Sequence, residues 1–173
     1  MISNFLTHEV RRKKRPPKND PQRNRLYKLE REYIGVSVNA VVSRSNLQDI
    51  ADHVRRYYRL KQTAKITVVD QPWEPALGWC ESYSVDGGVP FDFKIYQNRG
   101  YHGASMNVLL HEMAHFVTDI HWRDHQVHGP EFVAVYRHLL SKYRILPDIC
   151  FDVLAKKHSI KIGKYGSPSQ IKA

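Results

Sequence analysis

Leu109-Leu110-His111-Glu112-Met113-Ala114-His115-Phe116-Val117 is the stretch that decides how this chain is read. At about 100° per residue, residues 106–120 separate into two helical faces. Met106, Leu109, Leu110, Met113, Phe116, Val117 and Ile120 fall on one side. His111, Glu112, His115, Thr118 and Asp119 fall on the other. On such a helix His111 and His115 stand one turn apart, so two imidazoles can bind one ion. Glu112 is offset beside them, placed to take a proton from water at the metal rather than to ligate. Random order produces this pattern in roughly 2% of chains of this composition, so the pattern needs context. The apolar stripe opposite the two histidines supplies it. The competing reading is an exposed helix with two surface histidines.

A hydrolytic zinc takes three protein ligands and keeps one position open. Four residues compete for the third place. His121 has the metzincin spacing, but Thr118 stands where that pattern needs glycine, and no methionine follows Met113. His125 lies in a loop without a fixing motif, and Glu131 already suits the first turn of the next helix. His128 directly precedes Gly129-Pro130-Glu131-Phe132, where proline at the first helical position marks a new helix. An antiparallel helix pair with a short loop returns His128 to the metal, so it ranks first. Asp119 is a candidate to hold the second nitrogen of a ligating ring. Tyr101, His102, His121, His125, Tyr136 and Tyr165 are the candidates for stabilising an oxyanion.

Working outward, Ser45 with Gln48 reads as a capping box. Leu47, Ile50, Ala51, Val54 and Tyr57 or Tyr58 then recur at helical spacing. Ile66, Val68 and Val69 suggest a strand. Residues Trp79 to Val85 and Phe91 to Ile95 alternate around Asp86-Gly87-Gly88, as in a hairpin. Tyr33 to Val42 is a weaker strand signal. After the HExxH helix, one helix should carry Phe132, Val133, Tyr136, Leu139, Leu140 and Tyr143 inward, and another should follow Pro147. The layout implied is α+β and zincin-like: an N-terminal helix, a small β-sheet with a hairpin, the active-site helix and two further helices.

These motifs resemble the SprT-like (Spartan-type) zinc metallopeptidases. The resemblance rests on Leu109 to His115, followed after twelve residues by His128-Gly129-Pro130-Glu131-Phe132. Leu77-Gly78-Trp79-Cys80 and the hairpin to Ile95 resemble that family's Gly-x-Cys strand and the strand after it. The likeness covers about residues 45–145. It implies zinc held by His111, His115 and His128, Glu112 as general base, and a protein or peptide substrate lying along an edge strand. The family includes proteases acting on proteins crosslinked to DNA. Many relatives also carry a four-cysteine zinc ribbon, which Cys80 and Cys150 alone cannot build.

Charge divides the 173 residues unevenly around a net +10. Residues 1–32 hold ten Lys/Arg against four acids, 155–173 hold five Lys and no acid, and 33–154 are near neutral. The expected organisation is a basic, largely disordered arm over 1–32, a metallopeptidase domain over 33–160 and a basic flexible tail over 161–173. Such arms suit phosphates, so nucleic acid is a candidate partner through sequence-nonspecific, salt-sensitive contacts; solubility alone is the plainer role. No apolar signal core opens the chain, no run spans a membrane, and two distant cysteines imply no disulfide framework, which points to a cytoplasmic protein. The functional expectation is a zinc peptidase, with two alternatives. One is a nucleic-acid-binding module with a structural zinc site, in which Cys80 or a fourth histidine would close the shell. The other is a regulatory protease that cuts a repressor.

Overall fold

The structure, a computed structural model, describes residues 20–34, 42–61, 63–69, 78–83, 92–98, 105–122, 125–164 and 166–171; for 63–69, 78–83 and 92–98 it describes the backbone alone. Its helices are α1 (Arg23–Leu29), continued by a π-helical turn (Glu30–Ile34), α2 (Arg44–Tyr57), α3 (Met106–His121), α4 (Pro130–Lys142) and α5 (Asp148–Lys157).

The expected α+β class is corrected here. The part of the chain with placed side chains is 65% helical and holds no strand. Its apolar core comes from the helices and the turns that follow them: Leu26 and Leu29 of α1, Leu47, Ala51 and Val54 of α2, Leu109, Met113, Phe116 and Val117 of α3, Phe132, Tyr136 and Leu139 of α4, and Phe151 of α5. The physical reason lies at the two ends. Segments read as solvated arms carry apolar residues at helical spacing or pack on a helix, which adds helix to the described core. Among the described residues the strands are β1 (Thr63–Val69), β2 (Gly78–Tyr83) and β3 (Asp92–Asn98), ordered β1-β3-β2, with β1 parallel and β2 antiparallel to β3. The turn at Asp86-Gly87-Gly88 and most of the Tyr33–Val42 stretch lie outside the described residues, and Tyr33 and Ile34 belong to the π-turn.

Local signals explain the helices. α2 is capped by Ser43, whose Oγ accepts from the Asn46 amide at 3.3 Å; the cap thus falls two residues before the Ser45 expected. Its inward stripe is Leu47, Ala51 and Val54, followed by Tyr58 just past its end. α3 begins after Ser105 and α4 after Gly129 with Pro130 at its start. α4 packs along α3, and α5 is tied to α4 by the bidentate pair of Arg137 with Asp152, at 2.5 and 2.7 Å. Among the described residues no helix is long and apolar enough to cross a membrane.

Two expected boundaries move. The arm placed at 1–32 contains α1, whose Leu26 and Leu29 are fully buried. The tail placed at 161–173 lies on α4: the Gly163 amide donates to the Pro130 carbonyl at 2.7 Å, and the buried Tyr58 hydroxyl donates to the Gly166 carbonyl at 2.5 Å. The cationic run Arg11 to Lys18 lies outside the described residues.

Candidate metal centre

α3 carries His111, Glu112 and His115 on the side that faces α4 and the N-terminal segment. That side was expected to open on a cleft. Instead the middle of α3 is enclosed: His111 is 7% exposed, Glu112 6% and Thr118 fully buried, and of the two histidines and the glutamate His115 alone is half-buried. Thr118 satisfies its hydroxyl on the Ala114 carbonyl at 2.6 Å.

His128 enters from the loop before α4 and is 4% exposed. Together His111, His115 and His128 offer one nitrogen each, all within 4.8 Å of one another. The ring centroids are 5.0 Å apart for His111 and His115, 5.3 Å for His111 and His128, and 4.9 Å for His115 and His128. Phe132, in the first turn of α4 and fully buried, lies against all three rings with centroids at 5.0, 4.3 and 5.0 Å. It fixes the rings by contact, a role the sequence reading did not assign.

One pair of nitrogens is in contact. The Nε2 atoms of His111 and His128 are 3.3 Å apart. The other nitrogen of each ring meets a carboxylate: His111 Nδ1 donates to Glu30 Oε1 at 2.7 Å, and His128 Nδ1 donates to Asp20 Oδ2 at 2.5 Å. A carboxylate only accepts, so both Nδ1 atoms carry protons. In neutral rings the two Nε2 atoms therefore present lone pairs to each other. A cation between them relieves that repulsion. Two imidazoles on a tetrahedral ion, at about 2.0–2.1 Å each, have nitrogens roughly 3.3 Å apart, so the pair fits a small divalent metal.

Without a metal, one proton does the same work. Burial alone would depress His111, but the Glu30 carboxylate prevails and its pKa is raised. His128 is pushed down to about 4, first by burial and then by the charge of His111, with Asp20 opposing. Glu112 is pushed up to about 7 by burial, with His111 opposing and Glu30 adding to the rise. Tyr136, buried with its ring 5.4 Å from His111, is raised well above the usual phenol value by burial and by the Glu30 charge.

The other candidates go elsewhere. His125 engages both ring nitrogens, Nδ1 with the Trp122 carbonyl at 2.5 Å and Nε2 with Asp119 at 3.1 Å, and is not grouped with the three rings. Asp119 thus faces His125, outside that group. His121 and Glu131 line a cleft of about 790 Å³ with His125, Trp122, Arg25 and Lys161. Tyr101, His102, Tyr165 and the Cys80 side chain lie outside the described residues. No fourth His, Cys, Asp or Glu among the described residues joins the three.

The sequence reading missed Asp20, Gln22, Glu30 and Tyr27. Gln22 Nε2 donates to the His128 carbonyl at 3.1 Å and to the Lys161 carbonyl at 3.3 Å, while its Oε1 accepts from the Lys161 amide. Tyr27 lies over His111 and His128, with centroids at 5.9 and 5.6 Å. The available signal was Leu26 and Leu29 at helical spacing between acids in an otherwise cationic stretch. No protein-family model, curated protein or solved structure matches this chain.

Proposed function

We propose that this chain is a zinc-dependent metallopeptidase of the SprT-like kind. His111, His115 and His128 would hold the ion, and Glu112 would act as general base. The observation that supports this reading is the convergence of three imidazoles on one point, two from a helix and one from the following loop, with Glu112 next to the first. The three donors found among the described residues suit a site with an open fourth position.

Zinc would supply Lewis acidity toward a substrate carbonyl and toward water. The remaining chemistry belongs to the chain. Glu112, its carboxyl held near neutrality by burial, takes a proton from the attacking water and returns it to the departing amine. Asp20 and Glu30 occupy the Nδ1 protons, which keeps both Nε2 lone pairs turned inward. Phe132 keeps water away from the far side of the rings.

The test pairs metal content with hydrolysis. The purified chain should carry about one zinc, and it should cleave casein or a DNA-bound protein. Glu112→Gln should retain the zinc and lose activity about 100-fold or more. Equal activity in the two would remove the mechanism. The depth of the centre favours one alternative, a nucleic-acid-binding module in which the metal only staples the fold. Salt-dependent DNA binding without proteolysis would support that alternative. A protease specialised for a repressor shares the first chemistry and differs only in substrate.

A further inference from the structure

Asp20 and Glu30 flank α1, one just before it and one just after. Each meets the Nδ1 atom of a different ring, at 2.5 and 2.7 Å. Tyr27, midway along α1, covers both rings. Leu26 and Leu29 anchor the helix in the core, and the Gln22 side chain ties its start to the His128 carbonyl. Both carboxylates lie on the ring nitrogens that point away from the shared centre, so they do not compete for the ion.

We propose that Asp20 and Glu30 are positioning residues of the metal centre, and that docking of segment 20–34 and loading of the ion are one coupled event. The proposal rests on the metal-centre reading above. With the segment docked, two carboxylates fix the tautomer and the angle of His111 and His128 and make both rings better donors. With it displaced, each Nδ1 proton must find water, the rings turn freely, and Nε2 no longer stays the inward atom. Coupling is reciprocal, so the ion must hold the segment in place as strongly as the segment favours the ion.

The experiment measures zinc affinity of the full chain by competition with a chromogenic chelator. Asp20→Ala and Glu30→Ala should each weaken zinc about 10- to 100-fold. Asp20→Asn and Glu30→Gln, which keep an acceptor for the Nδ1 proton, should recover part of that loss. The Co2+-loaded alanine variants should show altered visible spectra. A role confined to folding would lower melting temperature and leave the spectrum and the conservative rescue unchanged. In the wild-type chain, zinc should slow trypsin cleavage after Arg23, Arg25, Lys28 and Arg31, a readout that does not depend on any variant folding. Variants that melt cooperatively and bind zinc as tightly as wild type would overturn the proposal, as would equal trypsin cleavage with and without zinc. A wild-type chain that binds no zinc would sink the metal-centre reading itself, and this inference with it.

Discussion

Glu112 is costly to bury. Its folded pKa of about 7 exceeds an ordinary glutamate's 4.5, so the folded state favours the protonated form. The stability this gives is fully present below pH 4.5 and is lost as pH rises through 7. That rise corresponds to about 3 kcal/mol. In the metal-free protein, Glu112→Gln should therefore be nearly neutral at pH 4.5 and stabilising by about 3 kcal/mol at pH 8, measured by urea unfolding at both values. A difference that does not grow with pH would contradict the burial argument. At this scale the sequence was most legible where chemistry fixes spacing: His111, His115 and His128 come together. It was silent on Asp20 and Glu30, because the partner of an imidazole's second nitrogen lies 81 or 108 residues away and no local pattern encodes it. Asp119, the local guess, faces His125.

Among the elements, α3, α4 and α5 were readable from apolar periodicity and from Pro130, because each buries a stripe that the sequence displays. α1 was not. Four cations, Arg23, Arg25, Lys28 and Arg31, dominate a short segment in which only Leu26 and Leu29 are buried. Three of the four acids in the first 32 residues are also committed to specific partners, Asp20 to His128, Glu30 to His111 and Glu32 to Lys157 and His158. A net charge hides such pairings. The tail poses the same difficulty, since its contacts are made by backbone. A Cβ at Gly166 would run into the Ala134 carbonyl of α4, and one at Gly163 would meet the Pro130 carbonyl oxygen at 2.7 Å. Gly166→Ala should lift the tail from α4 and leave the buried Tyr58 hydroxyl without its acceptor, at a cost of about 1–3 kcal/mol. Urea unfolding of this variant beside Tyr58→Phe checks it. If the two losses add fully, the tail is not what holds the hydroxyl.

For the whole molecule, an ion held by the three rings should act as a stabiliser. An ion that binds the folded chain alone adds about 4 kcal/mol when free zinc is about 1,000 times its dissociation constant. Thermal melts with zinc and with a chelator should therefore separate by several degrees, and the gap should close in His115→Ala. An unchanged melting temperature would mean that the three rings capture no ion. The α+β expectation failed at this scale because the two ends, read as solvated, add α1 and a tail packed on α4 to a described core already built by α2, α3 and α4.

The Gln22 amide has a consequence for biosynthesis. It touches His128, 106 residues on, and Lys161, 139 residues on. On a ribosome, the beginning of the chain must wait for residue 161 to clear the exit tunnel before that amide can settle. A nascent chain that already displays His111 and His115 still lacks this strut, so the centre reaches its final form only after translation has passed it.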